Sequence, residues 1–168
     1  MPTTRSRSRS MAERIVVNTG PLVALGRAGI TTAIEKMPLK VLAPLEVQRE
    51  LQRGPLAGHE RVDVSWVQFV TLRTPLSPLA VSSLDEGEAA VIQLALEEGL
   101  PVVCIDERKG RRAALAVGLR VTGTLGLLGR AKSLGLIPSV RSCVERMVTG
   151  GDWFDPKLLA RFYAAIGE

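Results

Sequence analysis

The stretch IVVNTGPLVAL, residues 15–25, joins a short apolar run to a polar Asn-Thr-Gly-Pro step and then to an apolar helical pattern. Residues 14–18 predict a buried strand. Pro21 predicts the first turn of a helix. Backbone N–H groups in that turn have no partner within the helix, so the N–H that proline lacks is not needed there. Asn18 and Thr19 therefore stand where a strand meets a helix. They either cap the helix or form one corner of an active site.

The same alternation of strands and helices continues along the chain. Further strands are predicted at residues 39–44, 66–72, 101–106 and 120–124. Helices are predicted at residues 21–29, 31–37, 45–54, 85–99, 107–118 and 125–135, with two more after Pro138 that are broken at GGDWFDP. Gly54 is expected to end its helix, and residues 73–84 are expected to form a linker. Almost wholly apolar strands that alternate with helices indicate an α/β fold with a parallel sheet covered on both faces.

The length of 168 residues predicts one domain, residues 13–168, after a disordered Arg/Ser tail at residues 1–12. No apolar run approaches the roughly 18–20 residues that span a bilayer. Two cysteines, Cys104 and Cys143, do not make a disulfide framework, and Cys104 is expected in the core. These features predict a cytoplasmic protein without a membrane partner.

The net charge of +5 comes largely from the tail. Residues 1–10 contain three arginines and no acid, so the remainder carries +2, which is five minus three. The tail is either an extension before a start at Met11 or an arm that binds nucleic acid.

Several functional classes lack their motifs. The chain has no phosphate-binding G-x-x-x-x-G-K-[ST] loop, no G-x-G-x-x-G after its first strand and no C-x-x-C pair. Its one histidine, His59, lies in a predicted loop and is expected to be a surface residue. A histidine-based triad or a His-ligated zinc site is therefore not supported.

Polar residues recur where ligands bind in open α/β sheets, beyond the carboxyl ends of the strands. Asn18 ends the first strand, Asp106 ends the fourth, and Glu88 stands in the first turn of the helix before it. Glu50 lies beside apolar residues of its own helix, but the pattern alone does not select it over Glu46.

Each of these residues also has a structural interpretation. Asp85 and Glu88 form a D-x-x-E capping box, Asp106 can cap the following helix, and Asn18 can cap its own. As a group, however, carboxylates at one edge repel one another unless a cation lies between them. Oxygen ligands without Cys or His suit Mg²⁺ or Mn²⁺, the metals of nucleases that activate water against a phosphodiester.

Four segments in order resemble the PIN-domain family: VVNTGPLVAL, PLEVQREL, EAAVIQLALEEG and VVCIDERKGRRAA. The resemblance selects Glu50, Glu88 and Asp106 as acids of the site, and Asn18 stands where the first motif commonly has Asp. The segment VTGTLGLLGRAKSLGLI resembles a less-characterised branch related to the VapC-like toxins of toxin–antitoxin pairs. The resemblance covers residues 14–138.

The resemblance implies a three-layer α/β/α sandwich and a Mg²⁺- or Mn²⁺-dependent endoribonuclease. It also implies RNA as substrate, a homodimer and a small antitoxin protein as partner. The four residues would hold the metal, and a metal-activated water would attack the phosphorus without a covalent enzyme intermediate.

Asn18 departs from the family pattern and leaves two hypotheses open. An amide oxygen can ligate Mg²⁺ but adds no negative charge, so metal binding would be weaker than in a four-acid site. The chain is either an active ribonuclease or a PIN-fold module that binds RNA or an antitoxin with weak or no catalysis. A small-molecule α/β enzyme is less well supported, because no cofactor motif appears.

Basic residues directly follow Asp106. Arg108, Lys109, Arg111 and Arg112 are candidates for phosphate contacts, and Arg108 and Arg112 share a helix face. The alternative is a solvated face or ion pairs with acids such as Glu107.

The aromatic content of 4% gives no support to base stacking. Four of the aromatic residues are gathered near the end of the sequence: Trp153, Phe154, Phe162 and Tyr163. They either pack against the sheet and its helices or form a dimer or partner surface.

Overall fold

The computed structural model describes residues 12–56, 58 and 60–168. Residues 1–11 of the predicted tail and His59 lie outside this part, so the predictions for them stay predictions. No helix among the described residues has the length and apolarity needed to cross a membrane.

Five strands form one sheet in the described part of the chain. They are β1 (Glu13–Val17), β2 (Leu39–Pro44), β3 (Gln68–Val70), β4 (Val102–Cys104) and β5 (Arg120–Thr122). The order across the sheet is β3-β2-β1-β4-β5, and every neighbouring pair is parallel. The central strand β1 pairs through Ile15 with Val41 and through Val16 with Val103. This confirms the predicted parallel α/β fold.

Helices connect the parallel strands and follow the last one. They are α1 (Thr19–Arg27), α2 (Thr31–Glu35), α3 (Leu45–Leu56), α4 (Pro78–Ser83), α5 (Glu86–Glu97), α6 (Arg108–Ala116), α7 (Thr124–Ser133), α8 (Val140–Thr149) and α9 (Pro156–Ile166). One group packs around α1 and includes α7 and α8, while another packs around α5 and includes α3 and α6. Val16 and Val17 point to opposite faces of β1 and are both fully buried, so helices cover both faces.

Two sequence predictions about helices are wrong. Helix α3 does not end at Gly54 but continues through Pro55 to Leu56. Gly54 does not adopt the positive φ with which a glycine ends a helix. Residues 73–84 are not only a linker, because Ser77 accepts a hydrogen bond from Ala80 N at 3.1 Å and begins α4. No residue of α4 is buried, so the sequence there lacks the apolar periodicity that predicts a helix.

The two cysteines and most of the C-terminal aromatic residues lie where packing would place them. Cys104 and Cys143 are free and buried, as the sequence predicts for Cys104. Tyr163 is buried, and Phe154 and Phe162 pack against the core. The packing interpretation therefore accounts for these three aromatic residues, while Trp153 stays exposed.

A carboxylate joins the C-terminal helices at one end of the domain. Glu168 accepts hydrogen bonds from Val140 N and Arg141 N, each at 2.8 Å, and from the Ser139 hydroxyl at 3.1 Å. It also pairs with Lys132 in the last turn of α7. The first turn of α8 is therefore fixed beside the last turn of α7.

We predict that Glu168→Gln lowers the free energy of unfolding by about 2 kcal/mol, because charge-assisted hydrogen bonds at the start of α8 are lost. Urea unfolding followed by circular dichroism measures this. Glu35→Gln, at an exposed position in α2, is the matched control and should change little.

The same carboxylate predicts how stability depends on pH. Burial raises the pKa of Glu168, but the Lys132 ammonium and the backbone N–H groups of Arg141 and Val140 outweigh it and lower the pKa to about 2 from the ordinary 4.5. The contribution of the ionised Glu168 to the free energy of unfolding is therefore complete above pH 4.5 and is lost as the pH falls towards 2. Glu168→Gln should flatten this part of the stability profile, and an unchanged profile would contradict the assignment.

Candidate active site

The carboxyl ends of β1 and β4 meet at one edge of the sheet. Asn18 follows β1, and its backbone N–H donates to the Cys104 carbonyl at 3.0 Å. Asp106 lies two residues beyond the end of β4. Asn18 and Asp106 therefore follow neighbouring strands at the edge where ligands bind in open α/β sheets.

The Asn18 side chain does not cap α1. Asn18 occupies the N-cap position, with φ −82° and ψ 169°, but its side chain makes no capping hydrogen bond. The residue is only 6% exposed, and its buried Oδ1 has no hydrogen-bond partner among the described residues. An unsatisfied buried carbonyl oxygen costs about 1–3 kcal/mol. This oxygen is therefore available to bind a cation or a hydrogen-bond donor through its lone pairs.

Glu50 lies between the first turns of two helices. The Thr19 hydroxyl, at the start of α1, donates a hydrogen bond to Glu50 Oε2. A Cβ at Gly87, in the first turn of α5, would lie 2.7 Å from Glu50 Oε1. The sequence predicts Thr19 as a helix cap or as part of one corner of an active site, but it does not predict this contact with Glu50. The polar step at Asn18 was its only signal.

Glu46, the alternative that the sequence left open, has a different neighbour. Its Oε1 pairs with Arg49 at 3.1 Å, and its Oε2 is buried without a hydrogen-bond partner within the described residues. Glu50 instead contacts Thr19, the residue directly after Asn18. The contact links Glu50 rather than Glu46 to the end of β1.

Glu88 is both a capping residue and a buried acid. Its N–H donates to Asp85 Oδ1 at 2.7 Å, and its carboxylate receives the Asp85 N–H at 3.4 Å, which confirms the predicted capping box. Burial raises the pKa of Glu88, and the negative charge of Asp85 raises it further. The backbone N–H groups of Asp85 and Gly110 act in the opposite direction. A Cβ at Gly110 would lie 2.8 Å from Glu88 Oε1, so only glycine leaves room for this carboxylate.

Asp106 does not cap the helix that follows it, because Glu107 occupies that position. Its two carboxylate oxygens accept hydrogen bonds from Thr124 N at 2.8 Å and Thr124 Oγ1 at 2.5 Å. A Cβ at Gly123 would lie 2.6 Å from Asp106 Oδ1. Asp106 thus joins the end of β4 to the start of α7. Sequence reasoning missed Thr124, whose only signal is the Thr-Gly-Thr step after β5.

The three predicted RNA-binding arginines divide into two kinds. Arg111 Nη1 donates to the carbonyls of Ile105 at 2.7 Å and Thr122 at 3.2 Å, and so ties the ends of β4 and β5 together. Arg108 and Arg112 are exposed and form no ion pair within the part of the chain that the structure describes. Lys109 is exposed as well.

Asp152 is a further acid that sequence reasoning did not single out. Its Oδ1 accepts a hydrogen bond from Arg27 Nη1 at 2.8 Å, and its buried Oδ2 has no partner among the described residues. Burial raises its pKa, the Arg27 guanidinium lowers it, and the charge of Asp106 raises it.

The donor chemistry of this edge fits a hard divalent cation, although the carboxylates do not converge. Across residues 12–56, 58 and 60–168, no three His, Cys, Asp or Glu side chains are arranged to hold a metal ion. Each acid is instead held by its own partners. Amide and carboxylate oxygens without thiolate or imidazole suit Mg²⁺ or Mn²⁺. The Asn18 Oδ1, which no described residue hydrogen-bonds, is the observation that fits such an ion.

A family model described as DUF3368, a PIN domain, matches residues 14–168. No curated protein matches the chain.

We predict that Gly110→Ala lowers the free energy of unfolding by about 1–2 kcal/mol, because the added methyl group displaces Glu88 and also lies 2.9 Å from Ile105 Cγ2. Ordinary helix propensity predicts the opposite, a gain of up to about 1 kcal/mol. Gly20→Ala, in the first turn of α1, is the matched control, since a Cβ there would meet no described residue within 4 Å. Equal unfolding midpoints for the two variants in urea would contradict the close packing described for Glu88.

Proposed function

The chain belongs to the PIN-domain family, and from this premise we propose that it is a metal-dependent endoribonuclease. PIN domains are generally nucleases, so family membership supports a nuclease-type hydrolase. The proposal adds that the substrate is RNA and the cofactor is Mg²⁺ or Mn²⁺. The observation that carries it is the buried Oδ1 of Asn18, which has no hydrogen-bond partner among the described residues and lies at the edge of the sheet that also carries Asp106.

We assign the metal to Asn18, Glu50, Glu88 and Asp106. When bound, the cation would activate water for attack on a phosphodiester and neutralise charge that develops on the phosphate. Thr19 holds Glu50 in position, and Thr124 does the same for Asp106. The carboxylates would turn from these partners towards the ion, while Asn18 Oδ1 has no partner to leave within the described part of the chain.

The basic residues after Asp106 supply the other half of the proposed site. Arg108 and Arg112 are exposed, four residues apart on α6, and have no competing ion pair within the described residues. They would bind phosphates of the RNA backbone and hold the chain beside the acids without reading its sequence. The resemblance of residues 121–137 to a less-characterised branch of PIN proteins, related to the VapC-like toxins, supports a role as the toxin of a toxin–antitoxin pair.

A second function is favoured by Asn18 and by the separation of the acids. Asn18 removes one negative charge from the proposed metal site, and no set of three acids converges in the described part of the chain. A PIN-fold module with weak or no catalysis that binds RNA or an antitoxin-like protein would tolerate both features. Metal binding distinguishes the two functions.

We predict that Asn18→Asp strengthens Mn²⁺ binding by at least tenfold, because a carboxylate replaces a neutral amide at the proposed site. Asp106→Asn should weaken binding by a similar factor. Isothermal titration calorimetry with Mn²⁺ measures both effects, and thermal unfolding with and without Mn²⁺ gives a second readout. Asp63→Asn, at an exposed position in the loop before β3, is the matched control.

The pattern of results separates the proposals. Native binding that Asp106→Asn removes supports the ribonuclease and justifies cleavage assays. Binding only after Asn18→Asp supports the weakly catalytic module. Absence of binding in every variant would contradict the proposed metal site.

We also predict that Arg108→Ala combined with Arg112→Ala weakens RNA binding across all sequences. The logarithm of the binding constant falls as the logarithm of the salt concentration rises. Each lost phosphate contact makes this slope shallower by about 0.7 for a single strand, so the double variant should make it shallower by about 1.4. Fluorescence anisotropy at several salt concentrations measures the slope. Arg53→Ala with Arg61→Ala removes the same charge from exposed positions outside α6 and should leave the slope nearly unchanged.

A further inference from the structure

Arg111 is the half-buried arginine of the basic run that follows Asp106. Its Nη1 donates hydrogen bonds to the Ile105 carbonyl at 2.7 Å and to the Thr122 carbonyl at 3.2 Å. Ile105 directly follows β4, and Thr122 is the last residue of β5. The two carbonyls therefore hold the guanidinium at the edge of the sheet that carries the candidate site.

The guanidinium of Arg111 lies beside the Asp106 carboxylate without pairing with it. A Cβ at Gly123 would lie 2.6 Å from Asp106 Oδ1 and 3.1 Å from Arg111 Nη1, so the two charged groups border the same glycine. Arg111 nevertheless forms no ion pair with Asp106 or with any other acid in the described part of the chain.

Neutral partners stabilise each of the two charges. Both carboxylate oxygens of Asp106 accept hydrogen bonds from Thr124, and Arg111 donates to backbone carbonyls. A direct ion pair would cancel the two charges, whereas neutral partners leave Asp106 its charge for a cation and Arg111 its charge for an anion. The remaining donors of the guanidinium, on Nε and Nη2, have no hydrogen-bond partner among the described residues.

We propose that Arg111 is a catalytic residue that contacts the phosphate to be cleaved. The inference rests on the proposed function and separates Arg111 from Arg108 and Arg112, which bind flanking phosphates. A phosphate that reaches Asp106 lies beside this guanidinium, whose planar donors suit phosphate oxygens. Because the backbone already holds the group in place, it stabilises charge that develops on the phosphate without first having to reorganise.

Two binding measurements test the contact without relying on cleavage. In EDTA, Arg111→Gln should make the salt dependence of single-stranded RNA binding shallower by about 0.7, the value for one phosphate contact. The same variant should strengthen Mn²⁺ binding about threefold in calorimetry, because a positive charge beside the proposed ligand Asp106 is removed. Arg120→Gln removes the same charge from an exposed position at the start of β5 and should change neither quantity.

Cleavage should change in the opposite direction to Mn²⁺ binding. At saturating Mn²⁺ and RNA, Arg111→Gln should lower kcat about 100-fold, the size expected when one donor to a developing negative charge is lost. Arg111→Lys keeps the charge but not the planar donors, so it should recover only part of this loss and keep the native Mn²⁺ affinity.

The opposite signs separate a catalytic role from a structural one. If Arg111 only tied β4 to β5, Arg111→Gln would displace Asp106 and weaken both Mn²⁺ binding and cleavage, and this result would overturn the inference. An unchanged salt slope would overturn it as well. If Arg111→Gln does not fold, Arg111→Lys decides, because native kcat in that variant would contradict the inference and a lowered kcat with native Mn²⁺ affinity would support it.

The native protein, measured first, shows which proposal has failed. Native Mn²⁺ binding and RNA cleavage leave the ribonuclease proposal intact even where the Arg111 variants contradict the catalytic role. Absence of both in the native protein would overturn the proposed function and this inference together.

Discussion

The hydrogen bond from the Asn18 N–H to the Cys104 carbonyl fixes the point around which the candidate site is built. It joins the carboxyl ends of β1 and β4, the two strands at which the chain reverses its order across the sheet. Because β1 is central and buried on both faces, the residue that follows it is also buried. An amide at this position must either find a partner or bear the cost of an unsatisfied oxygen.

The acids at this edge are each held by the beginning of a helix. Glu50 contacts Thr19 at the start of α1, Glu88 belongs to the capping box of α5, and Asp106 accepts hydrogen bonds from Thr124 at the start of α7. In a parallel sheet the connecting helices begin at the carboxyl edge, so their positive dipole ends gather there. This arrangement explains how carboxylates occupy one edge without converging on a cation. It also favours the approach of an anionic substrate such as a phosphodiester.

Much of the fold could be predicted from local patterns, since β2 has the predicted bounds and the alternation of elements fixes the parallel sheet. Helix α4 was missed because it buries nothing and therefore lacks periodicity. The positions of Asn18 and Asp106 at strand ends made them candidates, and the resemblance selected Glu50 over Glu46, but neither could supply the partners of these residues. Thr124 and Asp152 matter through contacts or charges that span 18 residues or more, as the Thr124–Asp106 hydrogen bond shows, and no local pattern encodes such contacts.

The central claim is that the free oxygen of Asn18 belongs to a divalent metal site. The most direct test is an anomalous difference map from crystals of the native protein soaked in Mn²⁺. We expect one strong peak in contact with Asn18 Oδ1, with a carboxylate oxygen of Glu50, Glu88 or Asp106 also bound to it. An ordered water on Asn18 Oδ1, with manganese absent from this edge at saturating concentration, would contradict the claim.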